Sequence, residues 1–318
     1  MMFYFAPMDG ITEYTFRNVY NRHFPGIDKF FAPFIQPNDK PLIVPKEFIE
    51  INPENNKNIN MVPQILTCDS DGFIKVGKQL AEYGYKEINL NAGCPSKVIV
   101  SKGKGSGLLK DIYKLEKFLD GIFSYDWNID ISVKTRLGID EYDDFFDILE
   151  VYSKFPISEL IVHPRYRNDF YNGNPRNDEF DKISQFDAFI NGKIKICYNG
   201  NIFSKKDINQ IFTKYGYISN IMIGRGLLSN PALVREIKGG MAMSCSEFID
   251  YHNDLFYEYS LICNNERILL FRMKELWQYW KNIIDDENNI YDSIKTSNDI
   301  NEYLTQVTKL FDFIKIKS

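Results

Sequence analysis

Residues 87–110, EINLNAGCPSKVIVSKGKGSGLLK, place a cysteine between a short strand-like run and a loop rich in lysine and glycine. Cys94 is followed by Pro95, which fixes its own φ and lacks an N–H, so neither a strand nor a helix continues easily through it. The thiol is therefore expected on a bend at the end of a strand, where a ligand can reach it. The loop that follows has four lysines, three glycines and no acidic residue from 96 to 110. Such a loop can bring positive charge and backbone close to a polyanion.

The strand before Cys94 is one of eight strand-like segments that alternate with amphipathic helices over about 230 residues. Most are short apolar runs, as expected for strands covered on both faces. The alternation predicts an α/β fold, a (β/α)8 TIM barrel, with a doubly wound sheet as the main alternative. The strands are predicted at residues 3–6, 29–32, 62–66, 87–91, 129–134, 160–163, 193–199 and 220–224, and helices at 73–83, 113–123, 142–155 and 205–215.

After Gly239 and Gly240 the pattern contains helices only. Phe248, His252 and Leu255 begin one stripe at helical spacing, and a clean stripe runs through residues 300–314. This predicts a small C-terminal all-α helical bundle. We therefore divide the chain into a barrel, residues 1–240, and a helical region, residues 241–318.

Composition limits the function classes. With 318 residues, 44% of them hydrophobic and 25% charged, the chain is typical of soluble globular proteins. No apolar run is long enough for a membrane helix, and no signal peptide is recognisable, so a cytoplasmic protein is expected. The five cysteines are odd in number and contain no CxxC pair, which argues against a disulfide framework and against a metal site.

The net charge of −5 does not indicate nucleic-acid binding by the whole surface. Residues 241–318 carry 8 basic and 13 acidic residues, so the first 240 residues are balanced. A basic face must therefore be local, and the loop at residues 97–110 is the best candidate.

Polar residues follow most of the predicted strands, at the end where barrels of this kind hold their active sites. Each signal is weak alone, but their coincidence indicates a site. Gly200 and the turn at residues 224–226 leave room for backbone N–H groups to face an anion, and a helix opening at residues 229–231 also favours negative charge. A phosphate-bearing cofactor is therefore expected, with Arg225 near its anion. Lys134 is expected to place positive charge beside an electron-rich ring.

The order of motifs along nearly the whole chain resembles the tRNA-dihydrouridine synthases, flavoenzymes that reduce uridines in tRNA. The resemblance implies an FMN-binding barrel, a helical tRNA-binding region and a reduced nicotinamide, NADPH or NADH, as reductant. The motifs are APMDGITEYTFR (6–17), NLNAGCPS (89–96), GKGSGLLKD (103–111), SVKTRLG (132–138), VHPRYR (162–167), YNGNI (198–202), MIGRGLLSNP (222–231) and RMKELWQYW (272–280).

The same resemblance implies roles for individual residues. Cys94 is the expected catalytic acid, which gives a proton to C5 of uracil while hydride adds at C6. The expected substrate contacts are Asn91, Arg136 and Arg165, together with Lys97 and Lys102 of the basic loop. The expected FMN-binding residues are Pro7, Met8, Asp9, Gln64, Lys134, His163, Asn199, Gly200, Asn201, Gly224 and Arg225.

Two other functions remain open. One is a flavin barrel acting on a free pyrimidine, similar to dihydroorotate dehydrogenases, although such an enzyme has no evident use for the helical region. The other is a non-catalytic RNA-binding barrel, which the intact Cys94 and Lys134 disfavour. We expect a monomer. The sequence does not specify which uridine of tRNA is modified.

Overall fold

The computed structural model describes residues 1–142, 145–285 and 289–316. Its main sheet contains only parallel pairings, in the order β3-β2-β1-β9-β8-β7-β6-β5-β4. The strands are β1 (Met2–Phe5), β2 (Lys29–Phe31), β3 (Met61–Val62), β4 (Gln64–Ile65), β5 (Glu87–Ala92), β6 (Asp130–Thr135), β7 (Glu159–Val162), β8 (Lys195–Tyr198) and β9 (Asn220–Ile223).

The sheet closes into a ring, because β3 and β4, the two ends of the pairing order, are separated in the chain by a single residue. β3 and β4 are the two halves of the single strand predicted at residues 62–66, and Pro63 separates them. Proline has no N–H to give to a ladder, but the Pro63 carbonyl still accepts from the Asn89 N–H at 2.9 Å. β1 pairs with both β2 and β9. The fold is therefore the predicted (β/α)8 barrel with a split third strand, and the open doubly wound sheet is excluded.

The predicted barrel helices are present with shifted ends. Asp69 caps the helix after β4, because its carboxylate accepts from the N–H groups of Asp71 and Gly72. The predicted start of the 142–155 helix includes residues 143–144, which lie outside the described residues. The helices of the barrel are α1 (Tyr14–His23), α2 (Pro45–Ile51), α3 (Ser70–Glu82), α4 (Lys97–Val100), α5 (Ile112–Phe123), α6 (Phe145–Ser153), α7 (Asn177–Phe180), α8 (Asp187–Ile190), α9 (Lys205–Lys214), α10 (Arg225–Ser229) and α11 (Leu233–Ile237), with 3-10 turns at Pro53–Asn56, Gly105–Lys110, Arg167–Asp169 and Asp181–Gln185.

The helix predicted to open at residues 229–231 begins slightly later, and a short helix that was not predicted precedes it. α10 starts at Arg225, directly after β9, and α11 starts only at Leu233. Between them the Asn230 side chain accepts from the Ala232 N–H at 3.0 Å. The helix that begins beside the strand end is therefore α10, and Arg225 is its first residue.

The C-terminal region is helical, as predicted, with α12 (Cys245–Ile262), α13 (Glu266–Trp280), α14 (Ile290–Thr296) and α15 (Ile300–Phe311). A short antiparallel pair, β10 (Ile284–Asp285) with β11 (Lys315–Ile316), was not predicted. α12 packs on α1, where the ring of Tyr251 meets those of Tyr20 and Phe24 at 6.3 and 5.2 Å. The apolar core thus continues across residue 240.

The interior of the ring has an apolar cluster on one side, with Glu159 and Asn220 buried at the starts of β7 and β9, and a polar group of residues on the other side. The apolar cluster consists of Tyr4, Ala6, Phe31, Val62, Ile161, Cys197 and Met222. On the facing side, β4, β5 and β6 carry the buried polar residues Gln64, Asn89, Asn91 and Ser132. In the described part of the chain, no helix has the length and apolar character needed to cross a bilayer.

Candidate active site

A cavity of about 370 Å³ opens where the strands end, close to the lower limit of typical small-molecule sites. Its walls come from β1, β4, β5, β6, β7, β8 and β9 or the residues that follow them, and from helix α13. Cys94, Asn91 and Arg136 line it, as do all eleven residues predicted to bind the cofactor. Those eleven are Pro7, Met8, Asp9, Gln64, Lys134, His163, Asn199, Gly200, Asn201, Gly224 and Arg225.

The backbone around Cys94 is fixed from four directions. The Cys94 N–H donates to Asn91 Oδ1 at 2.9 Å, and its carbonyl accepts from the Ser106 N–H at 3.0 Å. On either side, Arg136 Nε donates to the Gly93 carbonyl at 3.0 Å and Arg167 Nε donates to the Pro95 carbonyl at 3.1 Å. The bend that the Cys-Pro pair predicts is therefore rigidly held at the cavity wall.

The glycine-rich loop packs directly behind this bend. Gly105 has φ +57°, and a Cβ there would lie 2.8 Å from the Cys94 Cβ and 2.9 Å from its carbonyl oxygen. Only glycine fits both the conformation and the space. The loop glycine at 105 thus serves the packing of Cys94, a role that the sequence pattern alone did not identify.

The thiol is half-buried and protonated at neutral pH. Burial raises the pKa of Cys94, and the Ser96 N–H and the Arg136 guanidinium only partly oppose this rise. A thiol that keeps its proton can act as a proton donor, whereas a nucleophilic cysteine needs a lowered pKa. Cys94 therefore has the protonation state of an acid.

Lys134 is a cation on the cavity wall without a compensating charge. In the parts of the chain described here, no hydrogen bond or ion pair involves its ammonium group. Burial, together with the Arg136 guanidinium, lowers the pKa of Lys134 to about 8. A desolvated lysine without a partner is costly, which indicates that an electron-rich ligand completes this site.

His163 is neutral, and its tautomer follows from its neighbour. Burial, with Arg136 and Lys134 adding to it, lowers the pKa of His163 well below the ordinary value. Arg165 Nη1 lies 3.1 Å from His163 Nε2. A guanidinium can only donate, so Nε2 accepts and the proton is on Nδ1. His163 thus offers one N–H donor at the cavity wall.

Arg225 and Asn201 form the part of the wall beyond β8 and β9. Arg225 Nη2 donates to Asn201 Oδ1 at 3.0 Å. A Cβ at Gly224 would lie 3.4 Å from the Ala6 Cβ, so glycine keeps that corner of the cavity open. At Gly200, however, a Cβ would fall 2.2 Å from the Tyr198 hydroxyl. Gly200 is therefore explained by packing against Tyr198 rather than by an approaching anion.

Comparison with known proteins identifies the family. A family model described as "Dihydrouridine synthase (Dus)" matches residues 4–312. The chain belongs to the dihydrouridine synthase family. A probable tRNA-dihydrouridine synthase of Staphylococcus aureus is 29% identical over 261 residues, which cover 81% of this chain and 78% of the relative. tRNA-dihydrouridine synthase B of Pasteurella multocida is 29% identical over 233 residues, which cover 73% of this chain and 67% of that relative.

The fold is also found in a solved structure. A variant of NCR from Zymomonas mobilis matches with a TM-score of 0.51 at 12% identity, over 78% of this chain and 93% of the other. At this identity the match concerns the fold alone, and it agrees with the barrel observed in this chain.

Three residues predicted to contact substrate do not line the cavity. Arg165 is fully buried, and its Nη2 donates to the Gly173 carbonyl at 2.5 Å. Lys97 and Lys102 are exposed on α4 and the turn behind it. Arg165 is thus placed to hold the loop after β7 and the His163 ring, while the two lysines lie on the outer surface.

Three polar cavity residues were not singled out from the sequence. The Tyr171 ring lies 5.4 Å from the guanidinium carbons of both Arg136 and Arg225. Glu275 and Tyr279 reach the cavity from α13 of the helical region. The motif at residues 272–280 contains both, but helical periodicity does not tell which face of a helix meets a distant cavity.

Helix α13 is anchored to the barrel beside the cavity. Arg272 forms an ion pair with Glu13, in the segment that leads from β1 into α1. Lys274 donates to the Ser297 carbonyl at 2.8 Å within the helical region. The helical region therefore completes one wall of the cavity.

Proposed function

We propose that this protein reduces the C5=C6 bond of uridines in tRNA, as an FMN-dependent enzyme that uses NADPH or NADH. The observation that carries the proposal is that a protonated thiol, Cys94, and an unpaired cation, Lys134, face one cavity at the mouth of the barrel. Family membership supports the same reaction, and the names of the relatives from Staphylococcus aureus and Pasteurella multocida support tRNA as its substrate.

The residues of the cavity fit a flavin phosphate. Lys134 and Arg225 supply positive charge, the neutral His163 supplies one N–H donor, and Gly224 leaves space beside Ala6. We assign the ring side to Pro7, Met8 and Lys134 and the phosphate side to Asn201 and Arg225. When bound, reduced FMN supplies the hydride that adds to C6 of uracil, and the nicotinamide renews it. The full FMN set is Pro7, Met8, Asp9, Gln64, Lys134, His163, Asn199, Gly200, Asn201, Gly224 and Arg225.

The chain itself supplies the proton. The C5=C6 bond of uracil is conjugated to the C4 carbonyl, so addition of hydride at C6 calls for a proton at C5. The S–H bond of Cys94 breaks, its proton forms the new C–H bond at C5, and the thiolate then regains a proton from water. One hydride and one proton together reduce one double bond. Because the thiol is protonated at neutral pH, it is ready for this step.

Asn91 and Arg136 are assigned to hold the base against Cys94. Arg136 has Nε and Nη1 engaged with the Gly93 and Tyr166 carbonyls, which fixes its plane at the wall. Its remaining N–H groups can donate to a uracil carbonyl. A uridine must leave its stack in the tRNA to enter the barrel mouth, at a cost of a few kcal/mol. Contacts between the protein and the tRNA phosphate backbone offset this cost. We assign such contacts to Lys97 and Lys102, and further tRNA contacts to the helical region, residues 241–318.

The test uses the purified protein with its bound cofactor. Unmodified tRNA is incubated with NADPH or NADH, and dihydrouridine is measured by mass spectrometry of the nucleosides. We expect a flavin absorbance band and dihydrouridine in tRNA. Reduction of free uracil or orotate without any product in tRNA overturns the proposal in favour of a small-molecule enzyme. Protein without flavin and without activity overturns it in favour of a non-catalytic RNA-binding barrel.

A further inference from the structure

A row of polar side chains crosses the interior of the barrel from the Cys94 bend to the opposite end. Glu87, Asn89 and Asn91 alternate along β5, so all three point into the ring. Gln64 on β4 is in register with Asn89, and Ser132 on β6 is in register with Asn89 from the other side. The row is therefore set by the sheet itself.

Hydrogen bonds connect every member of this row. Asn91 Nδ2 donates to Gln64 Oε1 at 2.7 Å, and Gln64 Nε2 donates to Asn89 Oδ1 at 2.8 Å. Asn89 Nδ2 donates to Ser132 Oγ at 2.8 Å, and the Ser132 hydroxyl donates to Glu87 Oε1 at 2.7 Å. We name these five residues, Asn91, Gln64, Asn89, Ser132 and Glu87, the polar relay.

The direction of the relay is fixed at both ends. At the top, the backbone N–H groups of Gly93 and Cys94 can only donate, at 3.0 and 2.9 Å, so Asn91 Oδ1 must face them. At the bottom, the carboxylate of Glu87 can only accept. Lys29 Nζ, 2.5 Å from Glu87 Oε2, holds this carboxylate in place. Between the ends, the side-chain amides of Gln64 and Asn89 each accept one hydrogen bond through the oxygen and donate one through the nitrogen. Every donor in the relay therefore faces an acceptor.

Such a row is not needed to fill a barrel. Barrel interiors are ordinarily packed with bulky apolar side chains, and the facing side of this ring contains an apolar cluster, with Glu159 and Asn220 as polar residues at the strand starts. Gln64, Asn89 and Ser132 are fully buried, and each would cost about 1–3 kcal/mol if its partner were lost. Five residues in one directed chain that ends on the backbone of the proposed acid indicate a role in placing that acid.

We propose that Asn89, Ser132 and Glu87 are positioning residues for Cys94. They act through Gln64 and Asn91 to keep the Asn91 oxygen on the Gly93 and Cys94 amides, which sets where the thiol meets the substrate. The inference rests on the proposed function, because it gives the relay a purpose in proton delivery. Neither Asn89 nor Ser132 lines the cavity, so their effect on the reaction passes through Gln64 and Asn91, and the alkylation rate of Cys94 reports whether it reaches the bend.

The test compares Ser132→Ala and Asn89→Leu with Asn220→Leu. Asn220 is a matched control, since it is a buried asparagine of the same ring whose amide donates to Glu159, which within the described residues is joined to the relay only through Lys29, 3.4 Å from the Glu159 carboxylate. Three quantities are measured for each holoenzyme: the melting temperature, kcat and KM for tRNA, and the rate at which iodoacetamide alkylates Cys94, followed on its own peptide by mass spectrometry.

We expect kcat to fall about tenfold in Ser132→Ala with KM nearly unchanged, because a misplaced catalytic group affects the chemical step. Alkylation of Cys94 should become faster, since a loosened bend is less buried and burial is the main reason that the pKa of Cys94 is raised. Ser132→Thr, which keeps the hydroxyl, should restore both. Asn220→Leu should lower the melting temperature as Asn89→Leu does, while kcat and the alkylation rate stay near those of the wild type.

Unchanged kcat and alkylation in Ser132→Ala, or equal effects of Asn89→Leu and Asn220→Leu, overturn the positioning role. Failure of the proposed function is distinguishable, because a wild type that forms no dihydrouridine still has a Cys94 alkylation rate to compare. Should Asn89→Leu not fold, Ser132→Ala alone decides the matter.

Discussion

At the scale of single residues, Cys94 differs from the other cysteines by its place and its surroundings. Cys68 is exposed and Cys197 is buried in the apolar half of the ring, whereas Cys94 is half-buried at the cavity wall. Removal of the thiol should therefore take away proton delivery without disturbing the cofactor residues.

We predict that Cys94→Ala retains its flavin absorbance and loses about 10²- to 10⁴-fold in dihydrouridine formation, the usual contribution of a general acid. Cys68→Ala, which removes an exposed thiol outside the cavity, should have wild-type activity. Turnover of Cys94→Ala at the wild-type rate would remove this residue from the acid role.

Lys134 gives a prediction for the dependence of activity on pH. Its folded-state pKa is about 8, lowered by burial, so its positive charge is present below about pH 8 and is lost above it. Wild-type turnover should fall as the pH rises through this value, because the charge beside the reduced ring is lost. Lys134→Arg keeps its charge at all these pH values and should stay active at about pH 9.

Lys134→Met serves as the neutral counterpart and should have low activity at both neutral and alkaline pH. The measurement is the rate of dihydrouridine formation across the pH range for the three proteins. A wild-type profile with the same alkaline limb as Lys134→Arg would show that another group controls it.

At the scale of elements, the contact of α12 with α1 joins the helical region to the barrel. Tyr251 is fully buried and meets Tyr20, Phe24 and Trp280 with ring centroids 5.2 to 6.3 Å apart. We predict that Tyr251→Ala lowers the free energy of unfolding by about 3–5 kcal/mol, the usual cost of removing a large buried ring. Denaturant unfolding, followed by fluorescence and circular dichroism, measures it.

Tyr257 on the same helix is the matched control, since it is 60% exposed. Tyr257→Ala should change the free energy of unfolding by no more than about 0.5 kcal/mol. Because the apolar core continues across residue 240, we expect a single transition in both variants. Two separate transitions would instead support barrel and helical region as units that fold independently.

The sequence predicted the elements better than their ends. Apolar runs predicted all eight strands of the ring. These runs are short, whereas a helix usually needs about ten residues or more, so their length favoured strands. The run at residues 62–66 did not reveal that Pro63 divides it. The start of α10 at Arg225 was also missed, because glycines at 224 and 226 read as a loop, whereas a Cβ at Gly226 would lie only 2.0 Å from the Ile202 carbonyl oxygen.

At the scale of the whole molecule, the binding of a polyanion depends on where the charges lie. The net charge is −5, yet Lys97 and Lys102 are exposed just beyond the bend that carries Cys94. Since strand ends of a parallel ring lie at one face, these lysines are on the face that holds the cavity. The opposite face carries Lys193 and Lys195, at the start of β8.

We predict that the double variant Lys97→Gln with Lys102→Gln weakens tRNA binding and reduces the slope of log K against log salt concentration by about 1 to 2. FMN content should not change. The control is Lys193→Gln with Lys195→Gln, which removes the same charge from the far face and should leave the slope unaltered. Equal slopes for the two double variants would exclude a local basic face.

The composition of the site was predictable because strand ends of a barrel converge, so polar residues after different strands meet. What the sequence did not contain is the geometry between distant segments. The loop after β7 packs so that Tyr171 lines the cavity, and α13 packs so that Glu275 and Tyr279 line it. Arg165 was expected at the substrate and is instead bonded to backbone carbonyls and to His163. Likewise, no pattern distinguishes Ser132 from any other serine in a strand.

The pairing of β1 with β9 affects how the protein is made. Met2 and Asn220, 218 positions apart, are hydrogen-bonded across the closing seam. At the usual speed of translation, roughly 10 to 40 s pass between the synthesis of the two strands. During that time the first strand leaves the ribosome with one edge uncovered, and Ala6 has no Gly224 beside it. A nascent chain therefore has no complete cavity for the proposed flavin, which can be bound only after the last strand has docked.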